Sequence, residues 1–349
     1  MSNKAHFPLL DGLRGVAAIL VVVYHLFEAY FPVPVHPENH GYLAVDFFFM
    51  LSGFVVGYAY DDRWSTMTMG QFFKIRMIRL HPMVILSVII GVVAYWFDPF
   101  LPAESKFGLG KLLLTMVLAF TLLPHPDVRG WNETHSIDGP LWSLFQEYIA
   151  NFLYAIGFRR FSQKALAILC VFSGLALAAV AIHRGDLGTG WGFDTFWIGL
   201  TRMLFPFFAG LFLFRSNWKI SIPYSGLASV ALLIAVFFTP RFSNLHVNGG
   251  FEAMAIILIF PAIILLGAAA NISELGKKLC NLGGGISYPV YIIHYPIIYI
   301  YTMWIALKKP TPAEIVPVAI GLFFLFFIAA YAALKLYDEP IRRKLKTKN

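Results

Sequence analysis

Polar positions in this chain are sparse and grouped, and between them run eleven apolar segments, near residues 11 to 30, 42 to 60, 81 to 97, 109 to 124, 139 to 157, 165 to 183, 192 to 214, 222 to 239, 251 to 270, 286 to 305 and 313 to 337. Runs such as 226 to 238 and 315 to 334 carry almost no charge, which is the signature of helices surrounded by hydrocarbon. The longest stretches between segments are only about 15 to 20 residues, too short for a soluble domain of ordinary size. The pattern predicts an all-α polytopic membrane helix bundle that fills 1–349 as a single integral membrane domain.

Charge then sets the topology. RWSTMTMGQFFKIRMIRLH (63 to 81), FRRFSQK (158 to 164), FRSNWK (214 to 219), SELGKKL (273 to 279) and the tail IRRKLKTK (341 to 348) are basic, and basic loops stay cytoplasmic. All five reach one side only if one segment does not cross. The weakest is GKLLLTMVLAFTLLP, expected to be re-entrant or buried among its neighbours. The result is about ten transmembrane helices plus one re-entrant or non-spanning segment, with both termini cytoplasmic and Lys308 and Lys309 as the outside exception.

Composition agrees: 58% of the 349 residues are apolar and 13% charged, against about 25% charged in soluble domains. The net charge of +8 is accounted for by orienting loops that touch anionic membrane lipid, so no nucleic acid partner is implied. The first segment lacks a usual basic leader and a small-residue cleavage site and reads as a retained span. Cys170 and Cys280 show no pairing pattern. No repeats appear, and no metal is expected.

The candidate chemistry begins inside the first segment, LDGLRGVAAILVVVYHLFEAYF, where Arg14 and His25 stand eleven positions apart. That is about three helical turns, so both share one face about 16 Å apart. Charged and titratable groups in a bilayer mark pathways or reaction sites. Depth counting puts Asp46, in the descending second segment, level with His25, and Glu28 one turn beyond it; either can orient the imidazole as a base. In KIRMIRLHP, Arg76 and Arg79 project together at the cytoplasmic mouth, suiting a phosphate or pyrophosphate as well as lipid headgroups. In DGPLWSLFQEYIANFLY, Trp142, Ser143 and Glu147 occupy the outer half of a descending helix. Glu147 is expected to reach toward His25, and Trp142 reads equally as an interfacial anchor or an acceptor platform. Arg202 and His294 are further intramembrane groups, expected to draw partners from this acidic set. Pro289 and Pro296 should kink the helix around His294.

These residues carry a resemblance. LDGLRGVAAILVVVYH, with arginine, ten residues, then histidine, resembles the opening of the acyltransferase-3 family of integral membrane acyltransferases. VDFFFMLSGFVVGY, FFKIRMIRLHP, GPLWSLFQEYIANFLY, ISYPVYIIHYP and the terminal YDEP resemble its later landmarks, in order, from residue 9 to about 343. The resemblance implies a single integral membrane acyltransferase domain in a bacterial cytoplasmic (inner) membrane. It implies transfer of an acyl group, commonly acetyl from acetyl-CoA, to hydroxyls of a glycan or glycolipid such as lipopolysaccharide, or of a small molecule. The chain stops after its last span, so direct delivery, or hand-over to a separate partner, is expected rather than relay through an appended domain.

Joined to the residues, the resemblance implies acyl-CoA phosphates on Arg76 and Arg79, with Arg14, and His25 as general base or as the acylated group itself, oriented by Asp46 or Glu28. Trp142, Ser143, Glu147, Arg202 and His294 are the expected acceptor-side residues. A homodimer is compatible with the sequence. The rival class is a transporter or flippase of a glycan or lipid intermediate, whose inverted repeats are not seen; a non-catalytic scaffold is a third reading.

Overall fold

The computed structural model describes residues 7–31 and 35–347; Lys348 of the basic tail lies outside the described residues. Its helices are α1 (Pro8–Glu28), α2 (Ala44–Tyr60), α3 (Met69–Trp96), α4 (Leu109–Phe120), α5 (Leu141–Ile156), α6 (Gln163–Arg184) and α7 (Phe196–Ser216). They continue with α8 (Ser225–Phe238), α9 (Leu245–Met254), α10 (Phe260–Ala269), α11 (Glu274–Ile293), α12 (Tyr295–Lys308), α13 (Pro312–Ala333) and α14 (Glu339–Thr347). One-turn π-helical links fuse α9 to α10 and α13 to α14. Among the described residues the only β feature is an isolated bridge between Glu133 and Gly192. The protein is an all-α polytopic membrane bundle.

By length and hydropathy, seven helices among the described residues are long enough to cross a membrane, or eight when α11 and α12, bent by 51°, count as one span. Ten, the sequence expectation, is not reached on this measure. The helix α5 has 16 residues and carries Gln146, Glu147 and Asn151, and α8 has 14. The bend falls at His294, between Pro289 and Pro296, where the ring of Pro296 removes a backbone donor.

Loop contacts sort the bundle into two ends. At the basic end, Arg215 holds Asp61 at 2.6 Å and donates to the carbonyls of Arg159 and Phe161. Arg159 lies 4.0 Å over Trp64, and the Trp64 indole donates to Tyr154 at 2.9 Å. At the opposite end, Glu252 accepts from Tyr42 (2.6 Å), Asn248 (2.9 Å) and the Leu187 amide (2.7 Å), and meets His40 at 3.2 Å. The helix α4 is only 12 residues, about 18 Å. Before it, the Phe107 amide donates to Tyr95 near the end of α3. After it, Arg129 returns to Asp98 at that same end, so the segment does not cross.

Close helix contacts position the site. A Cβ at Gly15 of α1 would sit 2.9 Å from the Gly283 backbone of α11, and this missing bulk brings Arg14 within reach of α11. On α2, a Cβ at Gly53 would overlap the Phe207 carbonyl of α7 at 1.8 Å. The α2 face carrying Gly53 and Met50 also carries Asp46, which is therefore turned toward α7 and away from α1.

Candidate active site

A cavity of about 270 Å³ opens near the basic end, lined by Arg14, Arg76, Arg79, Arg342, Ser143 and Glu147 among others. A second, of about 190 Å³, shares Arg14, Leu51, Val55 and Arg79 with it and adds Phe7, Phe54 and Tyr58. Each arginine has a local cause. Arg76 and Arg79, three apart on α3 after a Thr68 capping box, share one face. Arg14 donates from Nε to Ser287 Oγ at 3.0 Å and from Nη2 to Asp11 and the Gly284 carbonyl at 2.9 Å. Arg76 donates to Glu147 at 2.6 Å, and Glu147 also accepts from Ser52 at 2.9 Å. The Nε of Arg76 has no partner among the described residues. Arg342 pairs with Asp338 on the cavity wall. Such a ring of planar donors fits phosphate oxygens.

Ser143 and Tyr291 both line this cavity, and their hydroxyls lie 2.6 Å apart. Tyr291 belongs to a stripe that starts at Ser287 on α11 and ends at His294 just past it, spaced i, i+4, i+7. Beyond Tyr291, the His294 and His25 rings lie 5.4 Å apart at 33°. His25 Nδ1 is 2.9 Å from Glu28 Oε2, and the Glu28 side chain is 48% exposed against 19% for His25. The other walls around His25 are Tyr24 and Tyr295, edge-on at 5.1 and 4.7 Å. Behind Tyr295, Tyr299 donates to Glu133 and lies 4.0 Å beneath Arg129. Burial pushes the Glu133 carboxyl up to about 7.

Residues 7–334 match a family described as an acyltransferase domain. The chain belongs to this acyltransferase-3 family. It is 23% identical to O-acetyltransferase OatA of Staphylococcus aureus over 99% of this chain and 58% of that one, so it spans little more than half of OatA's length. Acyltransferase MdmB of Streptomyces mycarofaciens is 26% identical over 83% of this chain and 79% of its own. Protein 2 in picA locus of Rhizobium radiobacter is 34% identical over 52% of this chain and 97% of its own. No solved structure matches. Membership makes the protein an integral membrane O-acyltransferase.

Several sequence expectations change against the geometry. Asp46 does not reach His25: it accepts from Arg202 at 2.5 to 3.2 Å, because its α2 face opposes α7. Glu28 is the carboxylate bonded to His25. Glu147 does not reach toward His25 either, since the side of α5 it occupies faces α3, and it pairs with Arg76. Ser143 and Glu147 thus line the arginine cavity. Trp142 is 7% exposed and lies 5.4 Å from the Arg202 guanidinium; it is neither an interfacial anchor nor a cavity platform. Arg202 also donates to the carbonyls of Thr189 (2.7 Å) and Tyr42 (3.0 Å), leaving its fork occupied by the protein. Among the described residues His294 bonds no acid: its Nδ1 meets the Val290 carbonyl at 2.9 Å.

Sequence reasoning missed Tyr291, Ser287, Arg342 and Ser52. The first two were marked by their helical spacing from His294. Arg342 was concealed among tail charges that orient the protein, and nothing local distinguishes Ser52.

Proposed function

We propose that the protein moves an acyl group, acetyl in this reading, from cytoplasmic acyl-CoA to a hydroxyl of a cell-surface glycan or its lipid-linked precursor across a bacterial cytoplasmic membrane. The basic end of the bundle faces the cytoplasm, with both termini there, and the chain acts as one membrane domain. The observation that carries the reading is one cavity receiving Arg14, Arg76 and Arg79, with His25 about 16 Å farther along the helix that bears Arg14. Donor phosphates sit on the arginines and the pantetheine arm points inward. His25, held by Glu28, takes the proton of the acceptor hydroxyl. The acyl groups in the relatives' names, OatA's acetyl among them, support the donor class.

Purified protein in proteoliposomes, supplied with labelled acetyl-CoA at the basic face, tests this. Label should appear in glycan or glycolipid on the other side, and CoA should raise the melting temperature. His25→Ala should retain the CoA shift and lose about 10² to 10⁴ in transfer rate. Equal transfer by the variant removes His25 from the mechanism, and no transfer by the natural protein from any acyl-CoA rejects the reading.

A further inference from the structure

Between the arginine cavity and the outward His25–Glu28 pair stands a third group, His294. It is fully buried and sits at the break between α11 and α12. Its Nδ1 meets the Val290 carbonyl at 2.9 Å, and a carbonyl only accepts, so Nδ1 carries the hydrogen and Nε2 holds a lone pair. That Nε2 has no partner among the described residues. Buried acceptors are rarely left unpaired, and an exception calls for a cause. On one side its ring adjoins Tyr291, centroids 6.4 Å apart, which lines the cavity and meets Ser143 through its hydroxyl. On the other it lies 5.4 Å from His25.

We propose that His294 is the nucleophile that carries the acyl group between the two sides, a relay that deepens, and rests on, the proposed acyl-CoA-dependent transfer. Donor and acceptor reach the bundle from opposite ends, and the Ser143–Tyr291 contact separates them. In the first half-reaction the Ser143–Tyr291 contact opens, and the His294 Nε2 lone pair bonds the thioester carbonyl carbon. The C–S bond breaks with its electron pair on sulfur, and the CoA thiolate leaves and is protonated from water at the basic end. The acyl-imidazolium keeps its Nδ1–H on Val290. In the second half-reaction the acceptor oxygen bonds the acyl carbon while its proton passes to His25 Nε2, Nδ1 being engaged by Glu28. The N–C bond then breaks and its pair returns to His294. With the rings 5.4 Å apart, the acceptor oxygen enters beside them and not between their faces, within reach of the His25 base and of an acyl carbon on His294.

The test uses the full-length protein in detergent with [14C]acetyl-CoA and no acceptor, quenched within milliseconds to seconds. His25→Ala should release CoA in a burst of one per protein and retain one hydroxylamine-labile acetyl on the peptide containing His294. His294→Asn, which preserves a side-chain N–H toward Val290, should lose the burst, the label and at least 100-fold in transfer, while keeping the CoA-dependent melting shift. Transfer by His294→Asn within about threefold of the natural protein overturns the relay. So does an unlabelled His25→Ala, or label on another residue, when the natural protein transfers normally; this measurement decides even if His294→Asn does not fold. A natural protein that never uses acetyl-CoA fails at the earlier level, that of the proposed function.

Discussion

Two arginine centres in this bundle are built in opposite ways. Arg202 is 1% exposed and Asp46 0%, and every nitrogen of its fork faces a protein acceptor: the carboxylate and the Thr189 and Tyr42 carbonyls. Around the cavity, Arg76 has an Nε without a partner, and no side-chain ion pair engages Arg79 among the described residues. The first centre is electrostatically closed and staples α2, α7 and the 185–195 loop. The second holds donor capacity open. In a low-dielectric interior a charge is tolerated when its partners are complete. In the proposed reading, donor phosphates complete the partners left open beside the cavity.

The largest effect should come from opening the closed centre. Asp46→Leu strands a buried guanidinium, and the loss should be about 3–5 kcal/mol, read as a collapse of melting temperature and of folded yield. A variant as stable as the natural protein would break the contrast at its root. Next, Arg79→Gln should leave stability within about 0.5 kcal/mol, the usual range for sites without special contacts. It should raise the donor KM about ten- to hundredfold, as loss of a charged hydrogen bond worth about 1.5–3 kcal/mol implies. Unchanged KM would reduce this arginine to a topology anchor. Glu28→Gln, which keeps the shape and removes the charge orienting His25, should lower kcat about tenfold with donor KM unaltered; a change confined to KM would point to a binding role instead.

The smallest effect sharpens the contrast through pH. Glu38, in the loop before α2, is buried with no partner for its carboxylate among the described residues, and burial pushes its carboxyl from 4.5 up to about 9. The folded chain then retains a proton that the unfolded chain has released, so stability should fall as pH rises between about 4.5 and about 9. Glu38→Gln should flatten that fall in melting scans from pH 5 to 9. An identical slope in the variant would mean that the loop admits water to an ionised carboxylate.

Much of the architecture was legible along the chain because membrane insertion acts on local composition: runs without charge become helices, and basic loops collect at one end. The non-crossing α4 and the bend at His294 were readable for the same reason, one from a short apolar run and the other from Pro289 and Pro296. Arg14, Arg76 and Arg79 were found because one helical period places them. What failed was partner choice. Counting residues gives depth along a helix but not rotation about it relative to neighbours. Asp46 and Glu147 had suitable depths for His25, yet faced α7 and α3.

By itself, then, the sequence determined that this is a membrane helix bundle with one basic end, and which rare polar residues lie within it, since these follow from hydrophobic length, charge and helical period. Only the tertiary structure decided which groups meet: Glu28 with His25, Asp46 with Arg202, Glu147 with Arg76, and His294 between the cavity and the outward pair. Those choices depend on how glycine-lined helices such as α1 and α11 rotate into contact, and that rotation is fixed by packing across the whole bundle.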